Sequence, residues 1–412
     1  MKINSKSFVI YIYIFSYVFC TIIYAAQGTI EGDLRGWNIR DNRLLYLSLV
    51  QVLLSAIVYY ICTSAIERSV KVRERFLLPN GTHYVFFFFF SSFAIFSIHY
   101  NYGFSSIEVD RNVPKILLQL YISSQPVFLG YIYSAYFCNE TRKLFYVNVL
   151  LILSLTVYQG WLVSFIIFSV IFFHRIKSLV RNHKVYSIFT FAFIFMLIPI
   201  LSFLKSIMLQ INKSSDQNLS FLELYNARLA FLNINSISDF FSYYFLSVFG
   251  RFEHVSIVYY INLQGNNLYS HVRSFYQESW LSDFIYGVFG YAIDKPYVQK
   301  YVANLIEPLY AWQVQIPISA RIIYLPFDEI CIMLIFMIMV VYTSVFLVKL
   351  ISTSSSLLAL NWTALFLFLY HGWFYSVILW MQTLFVLIFI LSTYRLLVRI
   401  SSKEFSSINK TI

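Results

Sequence analysis

Residues 7–26 read SFVIYIYIFSYVFCTIIYAA, an unbroken apolar run without a charged side chain. A helix of about 20 residues crosses the roughly 30 Å of hydrocarbon in a bilayer. The run is longer than the core of a cleaved signal peptide, and Tyr24-Ala25-Ala26 is a poor cleavage site. This stretch therefore predicts a retained, membrane-spanning first helix.

Runs of this kind recur along all 412 residues, of which 59% are hydrophobic and 12% are charged. A soluble domain carries about 25% charged residues, so the composition favours one membrane domain over a soluble domain with an anchor. We predict an all-α fold, a polytopic transmembrane helix bundle with about ten spans. The predicted spans lie near 7–26, 44–66, 81–100, 116–138, 144–157, 160–173, 185–204, 329–349, 357–373 and 376–396.

The segment 144–173 is predicted as two short helices rather than one long helix. Basic residues flank both of its ends, and basic flanks tend to remain in the cytoplasm. A hairpin that turns at Gln159-Gly160 satisfies both flanks, because glycine favours a turn.

The charge distribution predicts the orientation of the chain. With both termini inside, the inner segments hold 17 basic and 4 acidic residues, whereas the outer segments hold 13 basic and 15 acidic residues. Basic residues are enriched in cytoplasmic loops. The net charge of +11 is therefore a topology signal, and no nucleic-acid partner is expected.

The predicted spans divide the chain into three regions. Residues 1–204 form a first transmembrane region of about seven spans, and 329–412 hold three spans and a cytoplasmic tail. Residues 205–328 form one large outer loop that is rich in aromatic and aliphatic residues, so it is not disordered by composition. Within it, 239–249 and 281–293 are apolar but too short to span, which predicts interfacial or re-entrant helices.

The outer loop contains the candidate catalytic residues Arg251, Glu253 and His254. Gly250 begins a predicted helix that runs to about Asn262, with Arg251 and His254 on one face. A guanidinium at a helix N-terminus suits phosphate oxygens, because it adds a planar fork of donors to the free N–H groups. The alternatives are an Arg251–Glu253 pair, a headgroup anchor and simple packing of His254.

Further charged residues of the loop are candidate ligands for a diphosphate or a sugar: Arg273, Arg321, Arg228, Glu278 and Asp283. Each arginine also fits a pair with a nearby acid or an anchor at the headgroups. The sequence has no Gly-rich phosphate loop, His-Glu-x-x-His or Cys-x-x-Cys, so neither a metal nor a cofactor is expected. The four cysteines fall in or at the ends of predicted spans, which gives no disulfide framework in the outer loops.

The layout resembles the O-antigen polymerases, which are bacterial membrane glycosyltransferases. They share many spans, a pair of short helices in mid-chain, one large late periplasmic loop, and two or three closing spans. The family often carries an Arg-Gly turn between the short helices; here Gln159-Gly160 matches the glycine and not the arginine. Gly250-Arg251-Phe252 is similar to the family's loop arginine.

This resemblance implies a substrate carried on undecaprenyl diphosphate, at the outer face of the bacterial inner membrane. The growing chain would pass from its lipid to the non-reducing end of a new repeat unit. Arginines would hold the departing diphosphate, and Glu253 or His254 would take the proton of the attacking hydroxyl. The lipid bilayer and a chain-length regulator protein are the other expected partners, and both termini are expected to be cytoplasmic.

Three alternatives remain open from the sequence. An O-antigen ligase shares the architecture and the donor. A glycosyltransferase that uses a polyprenyl-phosphate sugar would place acids in the first outer loop, where Asp33 and Asp41 lie among neighbouring arginines. A flippase or transporter of lipid-linked sugars usually has paired halves, whereas here the large loop falls in one half.

Overall fold

The computed structural model shows a helical protein. All regular elements in the described ranges are helices, and an isolated antiparallel bridge joins Thr29 to Asn38. The described residues are 5–30, 34, 36–72, 81–100, 102, 113–159, 161, 163–179, 200, 203, 223, 236–265, 267–278, 295–306 and 314–408.

The described helices follow one another along the chain. In the first part they are α1 (Ser5–Gln27), α2 (Asn42–Ser69), α3 (Thr82–His99), α4 (Lys115–Ser124), α5 (Pro126–Tyr136), α6 (Lys143–Tyr158) and α7 (Val163–Leu179). Then come α8 (Ile237–Phe252), α9 (Val255–Gln264), α10 (Asn267–His271), a 3₁₀ turn (Phe275–Gln277), α11 (Val298–Ile306), α12 (Ile318–Tyr324), α13 (Phe327–Ile351), α14 (Ser355–Leu365), a π-helical turn (Phe366–Tyr370) and α15 (Phe374–Ile408).

Five segments in the described part of the chain are long and apolar enough to cross a bilayer. They are Val9–Gln27, Asn42–Ser69, Thr82–His99, Phe327–Ile351 and Phe374–Leu396. The membrane character of the chain is thereby supported, whereas the total of ten spans stays a prediction. The predicted span 185–204 lies outside the described residues except for Ile200 and Phe203.

One mid-chain prediction is confirmed by the structure, and one predicted span differs from the expected single helix. The prediction of two helices in 144–173 is confirmed by α6 and α7. The predicted span 116–138 is instead broken into α4 and α5 at Gln125, which has a φ of 44°. Pro126 explains the break, because a proline disfavours the right-handed helical conformation of the residue before it.

The chain forms two compact units, each built from separate stretches of sequence. The first unit comprises 1–67, 196–342 and 362–377, and the second comprises 68–195, 343–361 and 378–412. In the first unit α1 packs against α8, and α9 packs against α12. Residues Val255–Ile261 of α9 are buried on every face, which marks this helix as the core of the unit.

In the second unit α3 packs against α6 and α5. Gly130 allows α5 to pack closely on α6, because a Cβ at this position would lie 2.8 Å from the side chain of Ile152 on α6. A polar contact joins the same helices: the Tyr133 hydroxyl lies 2.7 Å from His83 Nδ1 and accepts from Asn148 Nδ2 at 2.8 Å.

Candidate functional site

The helix predicted to begin at Gly250 does not exist as one element. Ser236 and Asp239 form a capping box at the start of α8, and α8 continues through Gly250 to Phe252. Arg251 therefore lies near the C-terminal end of a helix, which favours cations and disfavours bound anions. The predicted anion site at a helix N-terminus is wrong for this residue, whose side chain is outside the described part.

Glu253 caps the next helix. Its backbone is extended, with φ −80° and ψ 142°, which breaks the helix between α8 and α9. Its side chain is buried; it accepts from the Ser256 backbone N–H at 2.9 Å, from the Ser256 hydroxyl, and from the Tyr24 hydroxyl at 3.4 Å. The carboxylate proposed as a base is thus engaged in three local hydrogen bonds.

The break places His254 in a chain of buried polar rings. His254 Nδ1 lies 3.1 Å from the Tyr17 hydroxyl, and His254 Nε2 lies 2.7 Å from His371 Nδ1. The Tyr13 hydroxyl lies 3.3 Å from His371 Nδ1. These four residues are called the imidazole chain below.

The buried position of His254 favours its neutral form. Burial, together with the neighbouring His371, holds the pKa of His254 well below its ordinary value. A proton shared by two neutral imidazoles has two arrangements, with either ring as the donor. The His254–His371 contact can therefore exist in two tautomeric arrangements.

Gly372 sets the position of His371. The π-helical turn that follows α14 ends at Tyr370, and Gly372 then adopts a φ of 89°. A Cβ at this position would overlap the carbonyl oxygen of Ile316. Only glycine satisfies both conditions, so the chain turns sharply here and brings His371 beside His254.

The Ile316 carbonyl also contacts a buried ion pair. It accepts from Arg321 Nε at 3.3 Å, and Arg321 Nη1 donates to the carboxylate of Glu278. The side chains of Arg321 and Glu278 are 0% and 3% exposed. The guanidinium carbon lies 4.6 Å from the centre of the Phe374 ring. The Ile316–Gly372 contact thus places the imidazole chain and the ion pair side by side within one unit.

Burial raises the pKa of the Glu278 carboxyl, and the adjacent Arg321 guanidinium acts against this rise. For Arg321, burial opposes the charge, but attraction to Glu278 outweighs it and raises the pKa. The guanidinium therefore stays charged, with the carboxylate as its counter-ion.

The ion pair leaves hydrogen-bonding capacity unused. Arg321 Nη2 and Glu278 Oε1 are buried and have no hydrogen-bond partner among the described residues. Buried polar atoms are almost always paired, so two unpaired atoms on one ion pair call for an explanation.

Of the remaining predicted ligands, Arg273 lies in the described part of the chain and is held by other contacts. Arg273 donates from Nε to the Lys295 carbonyl at 2.7 Å, and its guanidinium lies over the Tyr297 ring at 4.1 Å. Arg228 and Asp283 lie outside the described residues. In the part of the chain that the structure covers, no group of three or more His, Cys, Asp or Glu side chains is placed to hold a metal ion.

Tyr13, Tyr17 and His371 are functional candidates that the sequence did not reveal. Tyr13 and Tyr17 are four residues apart, the spacing that places two side chains on one face of a helix. His371-Gly372 ends an apolar run. Glycine often stops a helix, so the pair indicates a histidine placed at a helix end. In a chain with 34 tyrosines the first signal is weak.

No family model matches the chain, and neither does any curated protein or solved structure.

Proposed function

We propose that the chain is an integral membrane glycosyltransferase that polymerises undecaprenyl-diphosphate-linked oligosaccharide repeat units into a surface polysaccharide. Its place is the outer face of a bacterial inner membrane. The five apolar helices support the membrane setting, and the resemblance in layout supports the substrate class. The observation that carries the proposal is the imidazole chain beside the Arg321–Glu278 pair.

The chemistry of glycosyl transfer needs a proton acceptor that is not charged beforehand. An acceptor hydroxyl attacks the anomeric carbon of the growing chain, and the bond from that carbon to the diphosphate oxygen breaks. The electron pair of the broken bond leaves with the diphosphate. A neutral His254–His371 pair takes the hydroxyl proton, which is general base catalysis.

The diphosphate needs cations whose charge is not already neutralised. Arg321 does not fit this role, because Glu278 cancels its charge. Arg228 remains a predicted ligand of the diphosphate, since a guanidinium fork matches phosphate oxygens. Arg273 is held by local contacts with Lys295 and Tyr297.

Reconstituted protein gives the direct test. The full chain is placed in proteoliposomes with lipid-linked repeat units extracted from a strain that lacks the gene. We expect a ladder of longer chains on a gel and release of undecaprenyl diphosphate. His254→Ala should lower the rate about 10²- to 10⁴-fold, the range that general base catalysis contributes. His271→Ala, at an exposed histidine, is the matched control.

The outcomes separate the alternatives. A deletion strain that keeps its full ladder of long chains contradicts the polymerase. A strain that loses even the lipid capped with one unit favours a ligase or a flippase. Equal activity of His254→Ala and the parent protein removes the base role.

Orientation has its own test. Ser270 lies in the predicted outer loop and Thr141 in a predicted inner segment, and both are exposed. In a background without the exposed Cys62, an impermeant maleimide added from outside should label Ser270→Cys and not Thr141→Cys. The reverse pattern contradicts the proposed orientation.

A further inference from the structure

The Arg321–Glu278 pair presents one free donor beside one free acceptor. Nη1 of the guanidinium and Oε2 of the carboxylate bond to each other. Nη2 and Oε1 have no partner in the described part of the chain, and both are shielded from solvent. A buried donor or acceptor that stays unsatisfied costs about 1–3 kcal/mol. An ion pair that keeps two such atoms is arranged for something that binds both.

The direction of these atoms is fixed by their surroundings. Arg321 Nε is held by the Ile316 carbonyl, and the guanidinium carbon lies 4.6 Å from the Phe374 ring centre and 6.0 Å from that of Phe275. The backbone of Val298 lies close to the Glu278 carboxylate. Neither side chain is free to turn, so a ligand must match the pair as it stands.

The chemistry of the pair excludes a phosphate and favours a hydroxyl. A phosphate needs donors and positive charge, whereas the pair has no net charge and its free oxygen repels an anion. A hydroxyl group accepts one hydrogen bond and donates another. It satisfies both atoms at once, by accepting from Nη2 and donating to Oε1.

We infer that the Arg321–Glu278 pair binds a hydroxyl group of a sugar in the repeat unit, not the diphosphate. This inference rests on the proposed function for the source of the sugar. It replaces the predicted role of Arg321 and keeps Glu278 as a sugar ligand.

Further unpaired polar atoms lie on residues that neighbour the contacts of the pair in the sequence. Four more buried polar atoms without a partner in the described chain lie on residues close in sequence to those that contact the pair: Ser274 Oγ, Gln299 Oε1, Ser319 Oγ and Trp373 Nε1. Ser274 precedes Phe275, Gln299 follows Val298, and Trp373 precedes Phe374. Donors and acceptors are mixed in this set, as a sugar requires and a phosphate does not.

Direct binding tests the inference without any polymerase assay. The full chain in lipid nanodiscs is incubated with methyl glycosides of glucose, galactose, rhamnose and N-acetylglucosamine, and separately with inorganic pyrophosphate. Saturation-transfer NMR reports which probe contacts the protein. We expect at least one glycoside to bind, and we expect Glu278→Gln to weaken it about tenfold or more, because a hydrogen bond to a charged group is lost.

Glu329→Gln is the matched control. Glu329 is also a buried carboxylate, but its two oxygens accept from the Tyr269 hydroxyl at 2.5 Å and from the Phe275 N–H at 2.7 Å. We expect its glycoside affinity to stay within about twofold of the parent. Equal losses in the two variants would show a general effect of disturbing the fold and overturn the inference.

A gentler variant keeps the test decisive if Glu278→Gln does not fold. Ser274→Ala removes one unpaired buried hydroxyl, so the empty protein should be as stable as the parent or slightly more stable. Its glycoside affinity should fall severalfold. An unchanged affinity in Ser274→Ala, with Glu278→Gln unfolded, overturns the inference.

Two further results would also overturn it. One is that no glycoside binds. The other is that pyrophosphate binds and the binding is lost in Arg321→Lys, which would make the pair an anion site. Either result leaves the polymer ladder of the proteoliposome assay untouched, so the failure of this inference is distinct from the failure of the proposed function.

Discussion

The imidazole chain and the Arg321–Glu278 pair are both buried and polar, yet they use their hydrogen-bonding atoms differently. Both ring nitrogens of His254 are bonded within the protein, to Tyr17 and His371. The ion pair carries full charges and leaves a donor and an acceptor unpaired among the described residues. A neutral network whose nitrogens are bonded within the protein exchanges protons through those partners, whereas a charged pair with unpaired atoms keeps the capacity to bind a ligand.

The same contrast separates two carboxylates of the first unit. Glu329 and Glu278 are both buried. Each carboxylate oxygen of Glu329 accepts a hydrogen bond, whereas in Glu278 Oε2 is bonded and Oε1 has no partner among the described residues. Burial alone therefore does not mark a ligand-binding group. The unused atom is what distinguishes the two.

The largest expected effect comes from breaking the ion pair. Arg321→Leu leaves Glu278 buried without its counter-ion, which should cost about 3–5 kcal/mol of stability. Replacing both residues by leucine should recover most of this loss, because no buried charge remains. Thermal and chemical unfolding in nanodiscs measure both. If the single variant loses less than about 1 kcal/mol, the pair is solvated as a surface pair would be.

The double variant also separates stability from binding. It should be folded and yet fail to bind the glycoside that the parent binds. Retained glycoside binding in a folded double variant would make the pair purely structural.

The next effect concerns Gly372, which joins the two regions. Gly372→Ala should destabilise the folded protein for two reasons. A non-glycine residue in this backbone conformation costs about 1–3 kcal/mol. The added Cβ would also overlap the Ile316 carbonyl, so the total loss should exceed that range. Gly28→Ala is the matched control: its φ is 71°, and a Cβ there meets nothing within 4 Å. Equal melting temperatures for the two variants would mean that the Ile316 contact yields without cost.

Activity should follow the same order. Gly372→Ala displaces His371, so transfer should fall with the loss of the His254–His371 contact, whereas Gly28→Ala should leave it near the parent rate.

A smaller effect is the pH dependence of stability set by His254. Its pKa is lowered in the folded state, so below about pH 6.5 the unfolded chain binds more protons than the folded one. Stability should therefore fall as the pH drops below about 6.5, by at most about 1.4 kcal/mol per pH unit for this group. Above pH 7 this contribution is constant.

Melting curves between pH 5 and pH 8 measure this dependence. His254→Gln should reduce the slope below pH 6.5, and His271→Gln, at an exposed histidine, should keep it. A slope that is the same in both variants would assign the pH dependence to other groups.

The smallest expected effect is that of Ser256→Ala in the cap of α9. The hydroxyl of Ser256 donates to Glu253, so its loss should cost about 0.5–1.5 kcal/mol, the net contribution of one hydrogen bond. The backbone N–H of Ser256 still reaches the carboxylate, which favours the lower end of this range. No loss in melting temperature would show that Tyr24 and the backbone suffice to hold Glu253.

Much of the membrane architecture followed from local patterns. Apolar runs located α1, α2, α3 and α13, and basic flanks with a glycine predicted the pair α6 and α7. The break at Gln125 was not predicted, although Pro126 is visible in the sequence. A proline inside an apolar run leaves open whether a helix bends or stops, and packing decides between these outcomes.

The sequence identified only some of the residues of the candidate site. The sequence named His254, Arg321 and Glu278, because charged and titratable residues stand out in an apolar chain. The roles expected for Arg251 and Glu253 assumed a single helix that begins at Gly250. In the structure Gly250 lies inside α8, which ends at Phe252. A one-residue change in where a helix ends turns each side chain after it by about 100°, since a turn holds 3.6 residues.

By itself, the sequence determined that this chain is helical and apolar enough for a bilayer, because hydrophobicity and its period act over about 20 neighbouring residues. Only the tertiary structure decided which polar side chains meet. His254 and His371 are 117 positions apart, and Glu278 and Arg321 are 43 apart. Such pairs are chosen by the packing of whole helices and by the cost of leaving a buried polar atom alone, and neither quantity is written in any local stretch of residues.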